Sequence, residues 1–169
     1  MDKILKARSW QLLILLYLPF LVAEFVTPLG YRNYPYIIGF LLFFGWLLTV
    51  HQRLTALISQ KIEPTNILFI INIFFLTIVF CGVNIFFEPG SEIYLEGALA
   101  FIGLYFFFAL FQVFYSTAKR LVMAEKQKNI ALSDFIGEFF LFVIFPIGIW
   151  FLQPRIKKTI IKSEEYRSL

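Results

Sequence analysis

Four stretches of this chain, about Trp10–Leu29, Tyr36–Val50, Asn66–Phe87 and Gly97–Ala118, are long, apolar and almost free of charge. At ~1.5 Å per helical residue, roughly 20 residues cross a hydrocarbon core ~30 Å thick. The first, third and fourth stretches have that length; the second is short unless it draws in "GYRNYP" before it or "HQRL" after it. Composition points the same way, with 60% of the 169 residues hydrophobic, 20% aromatic and only 15% charged. Too little polar surface remains to cover such a chain in water, so lipid is its solvent. The expected fold class is all-α: an integral membrane four-helix bundle over residues 1–134, followed by a different kind of segment over 135–169.

Charge placement gives the expected sidedness. With a cytoplasmic amino end, Lys3, Lys6, Arg8, Arg53, Lys61, Lys119, Arg120, Lys126 and Lys128 all fall inside. The external loops then hold Arg32 alone among basic residues, with Glu88, Glu92 and Glu96 in the second, as the positive-inside rule requires. The first apolar run follows Lys3, Lys6 and Arg8 as a signal peptide would. It outlasts a secretory h-region and has no small-x-small cleavage site, so an uncleaved span is expected. The net charge of +4 is spread beside apolar runs rather than gathered in one patch. Anionic lipid headgroups, not nucleic acid, are the expected partner. The single cysteine, Cys81, lies mid-span and has no internal disulfide partner.

The last apolar stretch, Phe135–Leu152, admits two readings. As a fifth span it would export Arg155, Lys157, Lys158, Lys162 and Arg167, the densest basic cluster in the chain. As a re-entrant or interfacial helical hairpin it keeps every Lys and Arg except Arg32 on the cytoplasmic side, and this is the favoured reading. Pro146 lacks an N–H and Gly148 is a poor helix former, so both mark the break of the hairpin. Asp134 is placed to cap a helix beginning near Phe135, and Glu138 suits its positive end. Pro154 is expected to stop the second arm before the basic tail. In the tail, Ile156, Ile160 and Ile161 alternate with lysines; in "RLTALISQKIEP", Leu54, Leu57, Ile58 and Ile62 share a helical face. Both segments suit either the headgroup layer or the underside of the bundle.

Intramembrane polar residues are the first place to look for function. At about 100° per residue, Asn66, Thr77, Cys81 and Asn84 fall within about 60° of one another, leaving Asn72 to the side. On the fourth span Ala98, Tyr105, Ala109, Gln112 and Ser116 share a similar sector. Such stripes serve either as helix–helix interfaces or as the lining of a hydrated path, within one subunit or around an oligomer axis. Glu24 lies in the outer part of the first span with Arg32 a short loop away. An ion pair is the expected arrangement, an ion-binding or gating carboxylate the alternative. Glu138 and Arg155 flank the last apolar segment and are expected to meet. His51, the only histidine, has no ligand-spaced partner, so a metal site is not expected and a polar interface anchor is. No H-E-x-x-H, G-x-S-x-G, P-loop or C-x-x-C motif is present, and no catalytic residue or cofactor is expected.

The string "GEFFLFVIFPIGIWFLQPRI", Gly137 to Ile156, resembles a segment recurring in small uncharacterised inner-membrane proteins of Bacteroidota. The resemblance implies that Pro146, Gly148, Trp150, Gln153, Pro154 and Arg155 form one structural unit. In overall plan the chain also looks like membrane accessory proteins encoded beside RNA-targeting CRISPR effectors and other phage-defence systems. The expected function is a non-enzymatic bacterial inner-membrane protein with both termini cytoplasmic. It would be an oligomer-forming subunit of a channel, a pore or a larger membrane assembly, homo-oligomeric or bound to a partner membrane protein. The alternative is an accessory or regulatory protein of a phage-defence system acting on a partner.

Overall fold

The computed structural model describes residues 5, 7–58, 66–87 and 96–167, without the side chains of Ala98 and 163–167. Lys3, Lys6, Gln60, Lys61, Ile62, Glu88 and Glu92 lie outside the described residues. Within them every element is helical and no strand occurs. Six α-helices follow in chain order: α1 Ser9–Phe25, α2 Asn33–Leu57, α3 Ile67–Phe86, α4 Ala98–Lys126, α5 Ile136–Val143 and α6 Phe145–Arg167. Short 3₁₀ turns at Leu29–Tyr31 and Leu132–Asp134 precede α2 and α5. Three helices, α2, α3 and α4, are long and apolar enough to cross a membrane, as expected of an α-helical membrane protein.

The helix ends differ from the sequence expectation, each for a local reason. The first helix stops at Phe25, four residues before the expected end of its span. Thr27 precedes Pro28 and is pushed out of the α region; its N–H and its hydroxyl both turn back to the Val22 carbonyl, at 3.0 and 2.9 Å. The second helix is longer than Tyr36–Val50 and takes in both flanks. Pro35 falls in its first turn, where a missing N–H leaves no helical bond unmade. The fourth helix continues eight residues past Ala118. It ends where Gln127 enters the left-handed region at φ 51°. There the Gln127 N–H bonds the Met123 carbonyl at 2.8 Å, and its side-chain amide donates to the carbonyls of Ala124 and Leu57. Glutamine here does what glycine commonly does after a helix.

The chain divides into two compact units. One comprises Met1–Leu13, Trp46–Asn66 and Phe114–Leu169; the other comprises Ile14–Gly45 and Ile67–Val113. The first holds a dense core in which Trp46, Phe114, Phe142 and Phe145 contact one another's rings and are nearly inaccessible. In the second, Leu16, Phe69, Ile73, Leu76 and Ala109 are buried. There Phe20, Phe40 and Phe80 stack in series. The large apolar side chains of α3 and α4 that remain exposed, among them Phe74, Ile78, Phe101 and Leu104, are what lipid-facing surfaces consist of.

The C-terminal segment of the first unit is two helices folded back on each other. The reversal sits at Ile144, whose φ of −94° and ψ of 50° leave the helical region. A straight helix would put Glu138 and Arg155 ~25 Å apart, yet their side chains form an ion pair at 2.6 Å. The break therefore precedes Pro146, which occupies the first turn of α6. Gly148 has a separate role: a methyl group there would overlap the Leu141 carbonyl, so glycine lets α6 approach the backbone of α5. The expectation that Pro154 stops the second arm is corrected, because α6 runs through it to Arg167. One intrahelical bond is lost at that proline. Helix α6 is held on both sides of it by Ile149, Leu152, Ile156 and Ile160, all buried.

Candidate functional site

Three polar side chains of the second unit, Asn72, Tyr105 and Gln112, meet at one point. Asn72, the sixth of the twenty residues of α3, is fully buried. Its amide nitrogen donates to Gln112 Oε1 at 3.0 Å, and its Oδ1 accepts from the Tyr105 hydroxyl at 2.7 Å. Tyr105 is fixed edge-on against the Phe75 ring at 4.7 Å. A buried amide within an apolar helix has no water to bond, so it takes partners from the next helix. Tyr105 and Gln112 stand seven residues apart on one face of α4, which lets both reach it.

The remaining stripe residues lie elsewhere. The Thr77 hydroxyl donates to the Ile73 carbonyl at 2.7 Å and the Asn84 amide to the Phe80 carbonyl at 2.9 Å, both within α3. Ser116 and Cys81 are half-buried. Asn66 belongs to the other unit, where its Oδ1 lies 3.2 Å from His51 Nε2 and accepts from Arg120 Nη2. His51 and Arg120 are themselves buried. The expected stripe from Asn66 to Asn84 is thus not continuous, and Asn72, expected to lie beside it, is the hub of the second unit's polar cluster. One helical wheel orders residues around an axis but does not say which sector a neighbour covers.

Near the end of α1, Arg32 Nη1 lies 3.4 Å from Glu24 Oε2. The guanidinium also donates to the backbone carbonyls of Glu24 and Thr27, at 3.3 and 3.4 Å. The Tyr36 hydroxyl donates to Glu24 Oε1. Arg32 therefore joins a carboxylate and the unsatisfied carbonyls at the negative end of a helix, where a cation is favoured. Beside this cluster, Gly30, Asn33, Tyr34, Asn84 and Phe86 line an open cleft of about 590 Å³. The Asn33 amide crosses it to the Phe87 carbonyl at 2.9 Å.

A second charged cluster holds the folded-back helices. Arg155 reaches Glu138 at 2.6 Å through Nη1, and Glu125 at 3.0 and 2.6 Å through Nε and Nη2. The hydrogen bonds with Glu125, and then with Glu138, raise the Arg155 pKa further above the ordinary range, so the guanidinium stays charged at every working pH. Glu125 was not legible as a partner because α4 was expected to end at Ala118. Asp134 accepts from Lys126 Nζ at 2.6 Å and from the Ala131 amide at 3.0 Å. These bonds hold its carboxyl below the usual range, Lys126 contributing most. Gln153, buried on α6, donates to the carbonyls of Leu5 and Ala7 at 2.9 and 3.2 Å. Of the residues singled out by the C-terminal resemblance, Gly148, Gln153 and Arg155 thus make the contacts that fasten α6.

Among the described residues, no three His, Cys, Asp or Glu side chains come together as a metal ion would require. In comparisons with known proteins, no family model, curated protein or solved structure matches the chain.

Proposed function

We propose that this chain is a non-enzymatic, multi-pass protein of a bacterial inner membrane, a packed subunit of a larger membrane assembly rather than the wall of a pore. The supporting observation is where its intramembrane polar groups go. Asn72, Tyr105 and Gln112 bond one another across two helices, and Thr77 and Asn84 bond their own helix. A conduit needs such groups turned toward water. Helix α1, 17 residues and ~26 Å long, serves as a fourth crossing beside α2, α3 and α4. The α5–α6 hairpin re-enters from the cytoplasmic side, which keeps both termini there. The partner in the assembly is a second copy or another membrane protein.

Reconstitution tests this directly. Proteoliposomes are expected to pass small ions no faster than protein-free liposomes. Particles extracted from native membranes into nanodiscs should exceed the 19.9 kDa of one chain. A conductance altered by Asn72→Ala or Gln112→Ala would overturn the packed-subunit reading, and a purely monomeric particle would overturn the assembly.

A further inference from the structure

The folded-back pair α5–α6 carries large apolar side chains that stand exposed among the described residues. Phe140 before the reversal, Ile144 at it, and Ile147, Trp150 and Phe151 after it are each more than half exposed. The opposite faces of the same helices are buried through Phe142, Phe145, Ile149 and Leu152, so the pair is docked by one side only. A cluster of uncovered rings on both arms of one turn requires apolar surroundings.

The length of the pair limits how deep those surroundings lie. Ile144 stands six residues from Glu138 and eleven from Arg155, which are ion-paired at the base. Along the helices that is ~9 and ~16 Å, against ~15 Å for half of a hydrocarbon core. The tip therefore reaches about one leaflet deep. On α6 the exposed rings then give way to cations. Lys158 and Lys162 are exposed and Lys157 half-exposed beside them, with Lys158 ~12 Å along the axis from Trp150. A face that turns from aromatic to cationic over that distance has the profile of a single leaflet, from acyl chain to phosphate.

We infer that the α5–α6 hairpin is a one-leaflet wedge that selects anionic phospholipid. Phe140, Ile144, Ile147, Trp150 and Phe151 lie among the acyl chains, and Lys157, Lys158 and Lys162 hold the headgroup phosphates. This rests on the cytoplasmic, re-entrant placement proposed above. Lipid is the occupant that fits because the tip's exposed side chains are apolar but for the Trp150 indole N–H, a group at home near headgroups, and its basic flank complements a negative surface.

The full-length protein in phosphatidylcholine vesicles tests the wedge, using energy transfer from Trp150 to dansyl-labelled lipid. The Trp150→Phe variant isolates that tryptophan's contribution. Transfer to labelled phosphatidylglycerol should exceed transfer to labelled phosphatidylcholine by about three-fold, since each surface lysine favours an anionic headgroup. The combined variant Lys157→Gln, Lys158→Gln, Lys162→Gln should bring the two to equality. A reporter fused after Leu169 runs in parallel. A cytoplasmic reporter with equal transfer to both lipids overturns the wedge and leaves the topology standing. A periplasmic reporter overturns the topology, and the wedge with it.

Discussion

Single residues in this protein divide into those that bond across helices and those that bond their own. Asn72 is the clearest of the first kind, because removing it strands Gln112 Oε1 and the Tyr105 hydroxyl together. At roughly 0.6 kcal/mol per interhelical bond, with further loss from the stranded groups, Asn72→Ala should destabilise the protein by about 1–2 kcal/mol. Asn84→Ala removes only a bond within α3, so its effect should stay within about 0.5 kcal/mol. Unfolding in bicelles by steric trapping measures both. The glycines offer a matched pair of the same kind. A methyl at Gly148 overlaps the Leu141 carbonyl, while one at Gly82 meets nothing within 4 Å. Gly148→Ala should therefore cost about 1–3 kcal/mol, and Gly82→Ala should be neutral or stabilising by up to about 1 kcal/mol. Equal responses would mean that α6 does not approach α5 closely.

At the scale of elements, the existence of the helices was legible in the apolar runs, but their ends and pairings were less so. Thr27–Pro28 marks the end of α1 in hindsight, whereas nothing in the letters announces that Gln127 would take the left-handed conformation that ends α4. Because α4 runs on, Glu125 joins Glu138 around Arg155, a partnership no local spacing displays. The partners of Asn72 were hidden for a related reason: a wheel drawn on α3 alone carries no information about where α4 lies. The junction between α4 and α5 yields two tests. Lysine at position 155 supplies one compact charge where arginine supplies a three-nitrogen fork. Arg155→Lys should therefore release one of the two carboxylates and lower stability by about 1 kcal/mol, a modest value because the site is partly exposed. Asp134 gives a pH signature. Its folded pKa is depressed, first by Lys126 and then by the Ala131 amide. A depressed carboxylate stabilises the fold above its unfolded value, near pH 4, and that contribution is lost as pH falls through the folded value. The difference in Tm between the wild type and Asp134→Asn should be constant above about pH 5 and shrink below about pH 4.

For the whole molecule, the parity of crossings decides what can be built on any of these contacts. Helices α2, α3 and α4, each long and apolar enough to cross, lie between Gly30 and Asn129, and three crossings there would put those positions on opposite sides. Whether the amino end shares a side with Asn129 depends on α1, whose 17 residues stand at the short limit for a span. The charges argue that it crosses: if it did not, Arg8 would share the side of Arg32 and the basic asymmetry would weaken. Gly30 and Asn129 are both exposed, so cysteines placed there in a Cys81→Ser background can be labelled by a membrane-impermeant maleimide. In right-side-out spheroplasts Gly30→Cys should label and Asn129→Cys should not, with the order reversed in inverted vesicles. An epitope placed before Met1 should be accessible only where Asn129→Cys is. An epitope exposed together with Gly30→Cys would reduce the crossings to three, take α1 out of the core and leave the Glu24–Arg32 pair in the headgroup layer.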